Sequence, residues 1–252
     1  MFTEASTVEV LIRDLLCGGI THHTSTGPGL ARRAGKVSGL GWHFLRPTDI
    51  PRQAHEILVE PWVHEALVHL NPEIAAVPDR ADEVLHRLRA IVLAVRSDGL
   101  IKANEEMTAW LRGDRSMPFG RNNEHSTVHL IDFCDLEKNK YVVTTQFTFC
   151  AGVATGRMDL VLLVNGIPLV VIEAKTPVRP AISWVDGASD IHDDYESEIP
   201  EIFVANVLSV ATEGKELRYG SIRQPIESWG PWRSDAEAPA GTLDGVKAAV
   251  SG

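Results

Sequence analysis

The chain has 252 residues, ordinary apolar content, and a formal net charge of −10 from 24 Lys and Arg against 34 Asp and Glu. That length supports a full hydrophobic core, but such an acidic chain is a poor stand-alone binder of duplex DNA, because affinity there comes mainly from neutralised phosphates. Cys17, Cys134 and Cys150 lack C-x-x-C spacing, which argues against zinc or a disulfide framework and for a reducing, cytoplasmic compartment. No apolar stretch reaches the roughly 18 residues a membrane span needs, and no signal peptide is expected.

In chain order, residues 5–17 place Val8, Leu11, Ile12, Leu15 and Leu16 on one stripe of an amphipathic helix, with Ser6 or Thr7 available as N-cap. Glu9 lies beside that stripe. Residues 18–54 are rich in Gly, Pro, Thr and His and read as irregular, with short strands around 39–44. His22-His23 and the Arg32, Arg33, Lys36 cluster read most simply as solvated loop. Residues 55–70 predict a second amphipathic helix, broken by Pro61 and ended by Asn71-Pro72. Residues 82–96 predict a third, with Val84, Leu85, Leu88, Ile91, Val92 and Val95 along one face. A short fourth follows over 103–111, whose Met107, Trp110 and Leu111 look like core.

A polar loop over 113–126 leads to strands predicted at 127–132 and 141–149. Gln146 falls mid-strand in the second of these. Small residues at 151–156 connect to Asp159. Beyond Lys175, Pro177 and Pro180 stop the chain's strand, a helix is predicted over 183–198, and a strand near 202–210 runs toward a turn at Glu213-Gly214. Trp229 and Trp232 are expected to pack against the domain. From Ser234 the composition turns small, acidic and Pro/Gly-bearing, as linkers do.

The stretch that organises the chain is 159–175, D-L-V-L-L-V-N-G-I-P-L-V-V-I-E-A-K. Two apolar runs, 160–164 and 169–172, flank Asn165-Gly166, a strong hairpin signal because both residues tolerate φ > 0. Continuous Val- and Ile-rich runs suit strands buried on both faces. With a loop of 165–167, Val164 pairs with Pro168 and Asp159 falls opposite Glu173. Glu173 and Lys175 share a strand face and Ala174 points away. Adjacent carboxylates repel unless a proton or cation lies between them. Oxygen donors with no Cys or His nearby favour Mg²⁺ or Mn²⁺. Lys175 is then placed to orient or deprotonate a water, or to stabilise an anionic transition state. The ordinary alternative is a surface ion pair at a hairpin mouth.

The D-x13-E-x-K pattern resembles the PD-D/E-x-K nuclease motif. The fuller run V-N-G-I-P-L-V-V-I-E-A-K-T-P (164–177) is similar to the N-terminal nuclease domain of the R (restriction, motor-bearing) subunit of type I restriction enzymes. So are L-V-E-P-W-V-H-E-A-L-V-H-L-N-P (58–72), L-I-D-F (130–133) and I-P-E-I-F-V-A-N (199–206). The resemblance implies an α/β fold: a mixed central sheet with the 159–175 hairpin at its middle, flanked by the 5–17 and 183–198 helices, with a helical lobe over about 50–112. It implies an endonuclease domain over residues 1–233 (core 5–17 and 127–212), with 234–252 a linker toward a motor.

The implied activity is Mg²⁺-dependent (or Mn²⁺-dependent) hydrolysis of double-stranded DNA. It would be coupled to ATP-driven translocation in a complex with methyltransferase and specificity subunits. Asp159 and Glu173 are the implied metal ligands, with the Ala174 carbonyl a third donor, and Lys175 completes the catalytic set. In that family a helical glutamate at the position of Glu9 packs near the metal; a first-turn Glu favoured by the helix dipole is the alternative. Gln146, beside the proposed centre, is expected either to bond a metal-bound water or to be a buried amide satisfied by backbone. Tyr195 fits the Tyr of the family's Gln-x-x-x-Tyr pair. Ile191 stands where the Gln belongs, Asp190 and His192 flank it out of register, and the Gln role has no occupant. No G-x-x-x-x-G-K-[S/T] occurs: Gly35-Lys36 is followed by Val37 and Gly214-Lys215 by Glu216. ATP binding is therefore expected outside this chain. Two other readings stay open: a non-catalytic docking or DNA-binding module on a nuclease fold, and a free-standing PD-D/E-x-K nuclease.

Overall fold

The apolar hairpin expected around Asn165-Gly166 forms, and two strands this hydrophobic need cover on both faces. A computed structural model describes residues 5–18, 39–176 and 182–232. His22-His23, the Arg32, Arg33, Lys36 cluster, Pro177, Pro180 and the 234–252 segment lie outside the described residues. The elements in chain order are α1 (Ala5–Cys17), β1 (His43–Phe44), α2 (Glu60–Leu70), α3 (Pro72–Ala75), α4 (Arg80–Asp98) and α5 (Leu100–Leu111). There follow β2 (Ser116–Met117), β3 (Ser126–Thr127), β4 (Tyr141–Ala151), β5 (Ala154–Val164), β6 (Ile167–Ala174) and α6 (Trp184–Ser189). A π-helical segment (Asp190–Tyr195), α7 (Glu196–Glu198), β7 (Leu208–Thr212), β8 (Leu217–Gly220) and β9 (Gly230–Pro231) complete the described chain.

Seven strands form one mixed sheet in the order β1-β4-β5-β6-β7-β8-β9, parallel at β1/β4 and β6/β7 and antiparallel elsewhere. The fold is thus α/β with the β5–β6 hairpin at the middle of the sheet. Alternation sends Leu160 and Leu162 to one face, where they sit beside Ile172 and Val210 of the sheet and under Val8 of α1. Val161, Leu163 and Val171 face a larger core that includes Ala188 and Ile191 and runs without a break into Leu67, Leu88, Met107 and Trp110 of the helices.

The turn differs in detail from the expectation. Val164 pairs with Ile167 and Leu163 with Pro168, so the loop is the two residues Asn165-Gly166, with φ of +51° and +85°. Positive φ at both central residues is what a hairpin turn matching the strand twist requires. The register then shifts between Leu162 and Leu163, absorbing Leu169, and Leu162 pairs with Val170 and Leu160 with Ile172. This bulge cancels the error in the expected loop length, so Asp159 still comes level with Glu173.

The turn is also buried. Asn165 donates to the Leu130 carbonyl at 2.8 Å and to Asn139 Oδ1 at 2.9 Å, and accepts from the Lys140 N–H at 2.8 Å. Gly166 accepts from the Val59 N–H, and a Cβ at Gly166 would stand 2.7 Å from the Val59 carbonyl oxygen. Gly166→Ala combines left-handed strain with a backbone clash at the start of α2. It should cost at least about 1–3 kcal/mol, read as a lower urea midpoint; an unchanged midpoint would refute this account of the turn.

Four expected elements are corrected. Pro61 does not break a helix; it sits in the first turn of α2, where its missing N–H costs nothing, and 55–59 lie outside the helix. The 127–132 strand shrinks to Ser126–Thr127, paired with Ser116–Met117 apart from the main sheet. Side chains replace the ladder beyond it: Asn71 exchanges two hydrogen bonds with the His129 backbone, and Asn139 does the same with Asp132. The 151–156 connection is mostly strand, since β5 already starts at Ala154. The apolar run at 202–206 precedes β7: Pro200 opens a 3-10 turn, and Asn104 Nδ2 donates to the carbonyls of Phe203, Val204 and Asn206. Of the two tryptophans, Trp229 is buried and Trp232 is exposed, its ring edge-on to that of Tyr219.

Candidate active site

Asp159 sits on β5 and Glu173 near the end of β6, where the hairpin's apolar run gives out. The Asp159 N–H donates to Glu173 Oε1 at 3.3 Å, and the Ala174 N–H donates to Asp159 Oδ2 at 2.9 Å. Each carboxylate is thus pinned by the other strand's backbone. Ala174 contributes this N–H contact and is otherwise buried.

Glu173 is 2% exposed. Burial, and then the charge of Asp159, push its carboxyl up to about 9, against a smaller opposing pull from Lys175. Lys175 Nζ lies 3.7 Å from Glu173 Oε2 and is ion-paired to Asp190. Burial alone would lower the Lys175 pKa, but the Asp190 hydrogen bond and the Glu173 charge outweigh it and hold the ammonium above its ordinary value.

Gln146 closes the other side. Its Nε2 donates to Asp159 Oδ1 at 3.2 Å and to Glu9 Oε1 and Oε2 at 3.2 and 3.1 Å. Its amide nitrogen is therefore partnered by two carboxylates and not by backbone. Gln146 has φ +52° in the middle of β4, and the ladder with β5 skips the Gln146 and Asp159 positions between Thr145↔Leu160 and Phe147↔Met158. A left-handed non-glycine residue inside a strand costs of order 1–3 kcal/mol and persists only where its surroundings impose it. Here the break in pairing coincides with the Gln146 bridge to the acidic residues. Glu9 arrives from α1, and burial, then Asp159, raise its pKa.

The helix over the site, α6, is capped by Ser183, whose side chain and that of Asp186 form a reciprocal N-terminal cap. Gly187 lets it approach: a Cβ there would sit 3.3 Å from Glu173 Cβ. The helix then widens into the π-helical segment, a form that recurs at functional sites. Asp190 opens that segment and Tyr195 closes it. Asp190 binds Lys175, and the Tyr195 hydroxyl donates to the Arg157 carbonyl at 3.2 Å. Burial, then Glu173, Asp190 and Asp159, raise the Tyr195 pKa.

The structure therefore brings Glu9, Gln146, Asp159, Glu173, Lys175 and Tyr195 together. It adds Asp190, which sequence spacing set aside: a π turn realigns residues five apart, and regular helical spacing hides that. Among the described residues, no group of three or more His, Cys, Asp or Glu side chains is poised to hold a metal by itself. Two carboxylates nonetheless suit a hard ion such as Mg²⁺, which keeps several waters and takes few protein ligands. Burial first and the Asp159 charge second raise the Glu173 carboxyl, and a cation between the two carboxylates would relieve that repulsion.

The model of the family described as "Type I restriction enzyme R protein N terminus" matches residues 36–228. The "Type I restriction enzyme HindI endonuclease subunit" of Haemophilus influenzae is 27% identical over 214 residues, 79% of this chain and 19% of that protein. The "Putative type I restriction enzyme MjaIXP endonuclease subunit" of Methanocaldococcus jannaschii is 32% identical over 121 residues, 45% of this chain and 11% of that protein. The chain thus spans about a fifth or less of the length of these two curated relatives. With the family model covering most of its length and the hairpin lying inside the match, the chain belongs to the family of type I restriction enzyme R protein N-terminal domains.

Proposed function

We propose that this domain cuts double-stranded DNA by Mg²⁺-dependent hydrolysis, within a larger restriction subunit that couples cutting to ATP-driven translocation. The observation that carries the reading is the convergence of Asp159, Glu173 and Lys175 at one end of a buried hairpin. Asp159 and Glu173 would hold the ion, with the Ala174 carbonyl as a further donor. Mg²⁺ bound there supplies Lewis-acid stabilisation of charge building on the phosphate. Lys175, kept protonated by Asp190 and Glu173, contributes a fixed positive charge toward the phosphoryl oxygens and orients the attacking water. Gln146, itself held by Glu9, and the Ala174 N–H hold Asp159 in place, so its carboxylate needs no reorganisation before reaction. Methyltransferase and specificity subunits would supply the DNA recognition that a chain of charge −10 lacks.

The test is thermal. Mg²⁺ or Mn²⁺ should raise the melting temperature of the 252-residue chain by mass action, and Asp159→Asn should erase that rise. A rise that survives the substitution puts the ion elsewhere. The acidic charge is also what a non-catalytic docking module would show, and such a module predicts no metal heat in titration calorimetry of the unsubstituted chain.

A further inference from the structure

Within this site, the positive charges are largely committed. Lys175 serves Asp190 and Glu173, Arg13 pairs with Asp14, and Arg218 pairs with Glu216 and lies over the Trp184 ring. Arg157 differs. It is exposed, two residues before Asp159 on β5, and no side chain among the described residues forms an ion pair with it. Strand alternation puts it on the Asp159 side, between the buried Gly156 and Met158. Its charge is felt at Glu9 and at Tyr195, on the two flanks of the site.

Its backbone is held firmly. The Tyr195 hydroxyl binds its carbonyl at 3.2 Å, and a Cβ at Gly156 would stand 2.2 Å from Ile199 Cδ1. Tyr195 at the end of the π turn and Ile199 just after α7 thus clamp the chain at Gly156–Arg157, while the Arg157 side chain stays exposed. An arginine on rigid backbone beside the reacting centre, in a chain otherwise repelled by polyanions, suits one ligand chemistry: a phosphate of the DNA backbone, gripped by the guanidinium's planar fork.

We propose that Arg157 is a DNA-backbone contact, seating a phosphate next to the scissile one so that the strand crosses the Asp159–Glu173 pair. This rests on the nuclease reading, but its test does not depend on cleavage. A fluorescein-labelled duplex of arbitrary sequence is titrated with the 252-residue chain across a series of KCl concentrations. Each neutralised phosphate contributes about 0.9 to the slope of log K against log salt. Arg157→Ala should weaken binding and flatten that slope by roughly one phosphate, while Arg157→Lys keeps the slope.

Arg87→Ala is the comparison, because Arg87 is an exposed, unpaired cation on α4 among the described residues; it should leave the slope alone. An Arg157→Ala slope equal to the unsubstituted one, an equal loss in Arg87→Ala, or no binding by the unsubstituted chain at low salt overturns the proposal. If the slope falls as expected but Lys175→Ala still cuts DNA in the assembled enzyme, the phosphate contact stands and the catalytic assignment fails.

Discussion

Lys175→Ala should abolish DNA cleavage by the assembled restriction enzyme while leaving its ATP hydrolysis intact. The ammonium sits 3.7 Å from Glu173 and is tied to Asp190, so it is fixed beside the carboxylate pair before substrate arrives. Loss of a positioned charge or acid–base group commonly costs about 10²–10⁴ in rate, enough to remove visible cutting. Nothing in this chain has the spacing of a phosphate-cradling loop, so hydrolysis of ATP should not sense the change. The measurement is a pair of rates on one preparation: nicking of circular DNA and phosphate release. Wild-type cutting would remove Lys175 from the chemistry, and joint loss of both rates would mean that the site controls the motor.

Glu173→Gln should separate stability from activity. In metal-free protein the Glu173 pKa is raised to about 9 by burial and by Asp159. A raised carboxyl favours folding most fully below its unfolded pKa, near 4.5, and that advantage is lost as pH climbs through about 9. With EDTA present, stability should therefore fall across this window, by at most about 1.4 kcal/mol per pH unit. Glu173→Gln carries no charge to bury, so it should flatten the decline and melt higher at pH 8, while losing both the metal-induced stabilisation and DNA cleavage. Urea midpoints from pH 5 to 9, with and without Mg²⁺, test it. An equally steep decline in the variant would assign the pH dependence to another group.

Much of this was legible in the residues. Asn165-Gly166 between two Val- and Ile-rich runs specifies a hairpin because few other dipeptides accept two positive φ values. Period-two alternation then ties Glu173 to Lys175. The expected three-residue loop was wrong at the turn, and the bulge at Leu169 restored the register at the site. Such bulges leave little local signal, since the extra residue is one more leucine in an apolar run. The 127–132 segment failed as a strand for a different reason: Asn71, 58 positions away in sequence, satisfies the His129 backbone, so that stretch needs no strand neighbour.

By itself, then, the sequence determined the central hairpin, the Asp159, Glu173 and Lys175 set, and the helices whose apolar stripes run over several turns. These are local properties of turn chemistry and periodicity. Only the tertiary structure decided how Gln146 and Asp190 relate to that set. Gln146 enters through a left-handed backbone inside β4, and Asp190 through a π turn. Both departures cost local energy and persist because packing and carboxylate partners compensate them. Local propensity ranks the regular strand and the regular helix above either one, so only the assembled sheet, with α1 on one face and the capped helix on the other, brings these side chains to the site.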